Sequence, residues 1–153
     1  MKVTFQQEKL ATIRPDVIGL TVAHREETDY NFSKEKFLLE IDWDTYSILE
    51  NNDCLVVYTA RTEKGTLVGY ITFILQQMLH YKQVIMAYND SLFLHPTIRK
   101  GLTGYKFIKY AVEDIKEYSI GCISFNMKVK YSFSSILERL GFVHVEQVYQ
   151  MEV

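Results

Sequence analysis

The chain of 153 residues holds only two prolines, seven glycines and two cysteines. So few prolines and glycines, beside 14% aromatics, exclude a low-complexity or disordered protein. Cys54 and Cys122 lie far apart, without a Cys-x-x-Cys spacing. Both fall in apolar stretches and read as buried thiols of a reducing cytoplasm. A basic excess is also lacking: 17 Lys and Arg stand against 19 Asp and Glu, for a net charge of −2. This argues against direct nucleic-acid binding and against a basic membrane-surface binder. No apolar run approaches the ~20 residues of a membrane span. The opening Met-Lys-Val-Thr-Phe-Gln-Gln-Glu lacks the apolar centre of a signal peptide. Four histidines and the cysteines are scattered without metal-ligand spacing. Neither Gly-x-Ser-x-Gly nor a P-loop sequence occurs.

What is present is a chain 48% hydrophobic and 24% charged, of a length that predicts one domain over 1–153. Alternation predicts a strand over 3–7. Pro15 suits the first turn of a helix that Val17, Ile18, Leu20 and Val22 carry to residue 27. Residues 31–52 predict more helix, apolar at Phe37, Leu38, Ile41, Tyr46, Ile48 and Leu49. Strands are predicted over 54–61, 67–77 and 84–94, as an antiparallel meander. The turn Glu63-Lys64-Gly65-Thr66 joins the first two. A helix over 102–118 places Phe107, Ile108, Ala111, Val112 and Ile115 at helical spacing. A strand over 122–129, a helix over 133–140 capped by Gly141 and a last strand over 143–151 complete the chain. The order is β-α-α-β-β-β-α-β-α-β. It predicts an α/β (α+β) class with a mixed central sheet of about six strands flanked by helices. It lacks the alternating units of a dinucleotide fold.

The most informative joint is Asp90-Ser-Leu-Phe-Leu-His-Pro-Thr-Ile-Arg-Lys-Gly-Leu-Thr-Gly-Tyr-Lys-Phe107. An apolar strand ends at a proline, a basic pair and two glycines follow, and a helix begins. A helix N-terminus offers unpaired N–H groups and the positive end of a dipole. Glycines let backbone approach an anion. The joint therefore reads as a ligand-free β-to-α turn, or as a site for a phosphate-bearing cofactor held by the backbone of Ile98, Arg99, Lys100, Gly101, Leu102, Thr103 and Gly104.

That joint, with Gly65-Thr-Leu-Val-Gly-Tyr and the ending Leu137-Glu-Arg-Leu-Gly-Phe, resembles the GNAT superfamily of N-acetyltransferases over nearly the whole chain. The run of His80-Tyr81, Asp90, His95-Pro96, Arg99, Gly101, Gly104 and Lys128 resembles a subgroup common in phage and prophage genomes. The resemblance implies a cytoplasmic enzyme, the host cytoplasm if phage-encoded. It implies acetyl-CoA (CoA) as cofactor, its pantetheine between splayed central strands beside Leu92, Phe93 and Leu94. It implies transfer of acetyl to a primary amine, on a small molecule or a protein, by direct attack on the thioester. Lys128, just beyond the fifth strand, reads as plain surface or as a contact to the cofactor's phosphate or the acceptor. Two departures stand out. Leu102 replaces the middle glycine of the family's loop, with Gly101 one residue earlier. Leu137 occupies the position of the tyrosine that protonates the leaving sulfur, which leaves Tyr131, or Ser132, Ser134 or Ser135, to take its part. The ending also implies a shortened last hairpin, and so an open cleft or one completed by a second subunit. An exposed last strand favours a homodimer.

Asp90 interrupts an apolar strand. It reads equally as a structural carboxylate bonded to backbone or a tyrosine, and as the base of the reaction. Glu27, with Glu26, is a candidate to attract an amine, against a solvated helix end. His80 and Tyr81 are candidates for the acceptor side, against a surface hairpin. His95 reads as a turn former, Tyr149 as packing, and Trp43 as a half-buried core residue or an acceptor wall. The competing class is a GNAT-fold binding module of weak or no activity, such as a phage protein docking on a host factor.

Overall fold

The computed structural model describes residues 2–29 and 31–153. Five strands form one sheet in the order β1-β2-β3-β4-β5: β1 Val3–Gln7, β2 Leu55–Thr62, β3 Leu67–Met78, β4 Tyr81–Leu94 and β5 Cys122–Ser124. The first four are antiparallel neighbours, and β5 joins β4 in parallel. The helices are α1 Leu10–Thr28, α2 Trp43–Asn51, α3 Thr103–Ile115 and α4 Ser134–Arg139.

The sheet is covered on both faces, and the period of two in β2 sorts its residues between them. Leu55 and Val57 join Leu10, Ile13, Val17 and Leu20 of α1 in one cluster. Val56, Tyr58 and Ala60 join Phe107, Ile108, Ala111, Val112 and Ile115 of α3 in the other. The α1 stripe recurs every three or four residues, so one side of the helix meets the sheet. Each of its four aliphatic side chains contributes on the order of 2 kcal/mol by burial. Gly69 lets β3 lie tightly against β4: a Cβ there would stand 2.6 Å from Leu94 Cδ1 and 2.9 Å from the Phe93 carbonyl. Any side chain would push the two strands apart.

Several boundaries differ from the sequence expectations. Helix α1 begins at Leu10, five residues before Pro15, which therefore lies inside it. Pro15 and Ala11 are both exposed, so the carbonyl that the proline leaves unpaired faces water. Residues 31–42 are not helical; α2 starts at Trp43 because Asp42 caps it, accepting from Thr45 N at 2.9 Å. Strand β5 stops at Ser124, because Phe125 turns into the core and meets Phe73 and Phe142 edge-on at 5.3 and 5.4 Å. The last strand expected over 143–151 is not formed, and the sheet has five strands rather than six. Its alternating Val143, Val145, Tyr149 and Met151 lie exposed with no neighbouring strand to pair with. Tyr149, expected to pack, is 89% exposed. Cys122 is exposed and Cys54 half-buried, so neither is the buried thiol its surroundings in sequence suggest. Among the described residues no helix is long and apolar enough to cross a membrane, and no three metal-ligating side chains cluster.

Candidate active site

Two local irregularities open the sheet. Strands β4 and β5 pair only at Met86–Cys122, Ala87–Ile123 and Tyr88–Ser124. Beyond Tyr88 the edge of β4 has no strand beside it, and a wedge begins there. Asn126 donates to the Tyr88 hydroxyl in a short contact that pins the chain after β5 at the wedge. On the β3 side, Thr72 pairs with Ser91 and Phe73 with Asn89, so Asp90 is the extra residue of a β-bulge. A bulge re-aims the side chain at its centre.

Asp90 consequently leaves the apolar strand for an open cleft of about 400 Å³ between the sheet, α1, the 31–42 segment and α2. Its Oδ2 accepts from the Tyr46 hydroxyl at 2.5 Å and from Thr72 Oγ1 at 3.1 Å. Ser91 Oγ lies 2.6 Å from Thr72 Oγ1, which makes a chain of hydroxyls ending on the carboxylate. Oδ1 has no donor among the described residues, and the residue is exposed. Burial, then the Asp90 carboxylate, push the Tyr46 phenol well above its ordinary value, so it stays a donor. Tyr70 is raised for the same two reasons. Its hydroxyl lies 2.7 Å from His24 Nδ1, and the His24 ring stacks on Phe93. Burial holds His24 below its ordinary value, against the pull of Asp29 and Glu27, so the ring is neutral near pH 7.

The loop after β4 faces the wedge. His95 caps the turn Pro96–Ile98, with Nδ1 2.8 Å from Thr97 Oγ1, which agrees with its reading as a turn former. Gly101 takes φ +59°, a conformation that admits glycine readily, and the chain then enters α3 at Thr103. The amides of Lys100, Gly101, Leu102, Gly104 and Tyr105 have no backbone or side-chain acceptor among the described residues. Five donors thus converge at the positive end of a 13-residue helix. A Cβ on Gly104 would meet nothing closer than Ile136 Cδ1 at 3.8 Å. The space over these amides is open.

The expected site residues are spread over several parts of the fold. Leu94 and Ile98 are buried in the α3-side core, Leu92 packs against it, and Phe93 is buried in the α1-side core. Arg99 is engaged within the protein: it donates to Glu27 at 2.5 and 2.7 Å and to the Leu94 carbonyl at 2.5 Å, and lies over the Phe93 ring. The two side chains, expected to attract an amine and to add charge for a phosphate, are thus engaged with each other. Together they tie the end of α1 to the glycine loop. Lys128 lines the same cleft as Asp90, 3.8 Å from Asp29. His80 and Tyr81 form the exposed turn at the start of β4, nine residues and about 30 Å of strand from Asp90. Tyr131 ends the turn Val129–Tyr131, exposed, with Lys130 Nζ over its ring. The cleft residues His24, Tyr46, Tyr70, Thr72 and Ser91 were not singled out by sequence. Thr72 and Ser91, polar among apolar strand positions, carried the one signal that pointed to them.

A five-stranded sheet splayed between β4 and β5, with a glycine loop and helix at the wedge, is the GNAT fold. Solved structures of acetyltransferases superpose on it along almost its entire length. A predicted acetyltransferase with acetyl-CoA from Clostridium acetobutylicum is 15% identical, with a TM-score of 0.69 over 99% of this chain and 96% of that one. A ribosomal-protein-alanine N-acetyltransferase from Brucella melitensis biovar Abortus 2308 is 15% identical, with a TM-score of 0.70 over 99% of both chains. An aminoglycoside acetyltransferase from an uncultured soil metagenomic sample, in complex with sisomicin, is 18% identical, with a TM-score of 0.71 over 99% and 95%. No family model matches the sequence, and no curated protein matches it.

Proposed function

We propose that this protein is an acetyl-CoA-dependent N-acetyltransferase acting on a primary amine. The observation that carries the reading is the set of unpaired amides of Lys100, Gly101, Leu102, Gly104 and Tyr105 at the start of α3, in the loop that follows the open edge of β4. Such donors suit a pyrophosphate, and the residues present fit the cofactor. When bound, acetyl-CoA supplies a thioester-linked acetyl group. The chain's own part is to hold and orient. Backbone of residues 98–104 binds the phosphates, and the unpaired edge of β4 at 89–94 receives the pantetheine arm. Asp90 Oδ1 takes the proton that the amine must lose before it attacks, directly or through one water. Tyr46 and Thr72 fix the carboxylate, and its exposure gives the proton a way out to solvent. Tyr131 is the proposed donor to the leaving thiolate. His80, Tyr81 and Glu27 have no part in this scheme.

The first test is the melting temperature with acetyl-CoA, desulfo-CoA and ATP. A ligand at about 100 times its Kd stabilises by ~2.7 kcal/mol, a rise of about 5–10 °C for a chain of this size. The rise is expected with both CoA compounds and not with ATP. Asp90→Asn is expected to keep that rise and to lower kcat by about 100-fold, the usual weight of a positioned base. An Asp90→Asn enzyme retaining most of its kcat would leave the carboxylate a structural pin of the bulge.

A second reading is supported by the exposed apolar edge of Val143, Val145, Val148 and Tyr149, which suits a binding module or a homodimer. A protein that pulls down a partner, shows no CoA-dependent melting shift and acetylates nothing would favour it.

A further inference from the structure

Taking the acetyltransferase reading as its basis, we infer that the acceptor is a small monoamine carried on an apolar, arylalkyl-type body. Its ammonium end would meet Asp90, and its body would lie on the wall made by Ile13, Val17, Leu39, Ile41 and Trp43.

The charges lining the cleft decide the number of cations it accepts. Four charged side chains reach it: Asp29, Asp90, Arg25 and Lys128. Asp29 has Lys128 at 3.8 Å. Among the described residues Asp90 has only neutral hydroxyls as partners, from Tyr46 and Thr72. One carboxylate is therefore without a cation, and it lies at the bulge where the amine must stand to react. A second ammonium on the acceptor would come to rest among Arg25, Lys128 and aliphatic carbon, and would be repelled or desolvated there. His24 adds no charge, since burial keeps its ring neutral.

The wall decides the body. Ile13 and Val17 are core residues of α1 whose inner faces form the floor of the cleft. Trp43 stands at the start of α2, and Arg14, which does not line the cleft, lies over its ring at 5.1 Å and steadies it. Leu39 and Ile41 come from the 31–42 segment. Leu39 is 40% exposed at the mouth, beside the exposed Phe37 and Leu38. An aminoglycoside, with many hydroxyls and several ammonium groups, would leave those groups unpaired against this wall. A phenyl or alkyl body covers it, and each buried methylene contributes about 0.8 kcal/mol.

Trp43 is the chain's single tryptophan and lines the cleft, so its emission reports occupancy without acetyl transfer. The protein is titrated, free of acetyl-CoA, with phenethylamine, its neutral counterpart phenethyl alcohol, and sisomicin. Excitation is kept to the red edge, where tyrosine does not absorb. Phenethylamine is expected to bind saturably, at least 10-fold tighter than either of the others. Asp90→Asn is expected to remove the preference for the amine over the alcohol. Leu39→Ser, a change at an exposed position that the fold tolerates, is expected to weaken phenethylamine about 5-fold and leave sisomicin unaltered. Sisomicin binding as tightly as phenethylamine, or neither binding, would overturn the inference. The acetyl-CoA melting shift, measured on the same preparation, separates the two levels. A normal shift with no phenethylamine preference sinks the acceptor class alone. Phenethylamine binding without any CoA shift sinks the acetyltransferase reading and leaves an amine-binding cleft.

Discussion

Replacing Gly104 by tryptophan is expected to abolish measurable acetyl-CoA binding while leaving the protein folded. The second half of that expectation makes the first informative. A Cβ at position 104 has ordinary contact distance to its nearest neighbour, Ile136 Cδ1 at 3.8 Å, and the backbone there is not in the left-handed region. Nothing in the packing demands a glycine. Inside a helix, glycine costs about 0.5–1 kcal/mol relative to alanine. Gly104→Ala is therefore expected to raise the melting temperature of the free protein by a few degrees and at the same time to weaken the cofactor. A residue that stabilises the empty protein and harms the loaded one marks a surface shaped for a ligand. Gly104→Trp places an indole beside the amides of Lys100, Gly101, Leu102, Gly104 and Tyr105, which no acceptor among the described residues uses. The check is the melting shift with desulfo-CoA, read on the native protein and both variants. An undiminished shift in Gly104→Trp would show that the phosphates lie elsewhere. Gly69→Ala is the contrasting control, since its Cβ would stand 2.6 Å from Leu94 and the loss there is of folding.

The arrangement of Arg99 shows how far sequence could lead. A basic pair before two glycines reads as positive charge for a phosphate. In the folded protein one of the pair, Arg99, is spent on Glu27, 72 residues away in sequence. Charge alone could not tell a ligand's anion from the chain's own carboxylate. The strands and helices of the core were legible because each has a period that burial imposes, as in β2 and α3. The wedge was legible only through the resemblance, since it arises where β5 ends at Ser124 and the chain turns inward at Phe125. The bulge at Asp90 was not legible, because a one-residue slip in register leaves no mark in composition. Asp90 therefore stood as a charge in an apolar strand, whereas its side chain is exposed and hydrogen-bonded. Tyr46 and Tyr70 were invisible for a different reason. Their roles depend on which hydroxyl meets which carboxylate or imidazole across 44 and 46 residues of sequence. The last strand failed because alternation states a preference for pairing, and no strand is present for residues 143–151 to pair with.

Arg61→Met is expected to lower the melting temperature by about 10 °C, from the loss of a buried ion pair worth ~3–5 kcal/mol to break. Arg61 holds the start of the chain to the hairpin of β2 and β3. Its Nε lies 2.8 Å from Glu8 Oε2, its Nη1 2.9 Å from Asp16 Oδ2, and Nη1 also donates to the Gly65 carbonyl at 2.8 Å. Glu8 and Arg61 side chains are only 9% and 13% exposed, so methionine fills the space but leaves the carboxylate buried and unpaired. The pH dependence identifies the cause. Burial by itself would raise the Glu8 carboxyl, but hydrogen bonds from Arg61 and Thr59 override it and bring it from 4.5 down to about 2. A carboxyl with its folded value depressed contributes stability that is complete above its unfolded value and lost as pH falls through the folded one. The contribution, at most about 3 kcal/mol, is therefore present at neutral pH and disappears between about pH 4.5 and 2. In Arg61→Met it is already gone, so the two proteins should converge in stability as the solution is acidified through that window. Urea denaturation at neutral pH and near pH 3 measures the gap directly. A gap of the same size at both would mean that Arg61 acts through Asp16 and the Gly65 carbonyl instead, and Glu8→Gln, which should reproduce most of the neutral-pH loss if the pair is its source, would then be nearly silent.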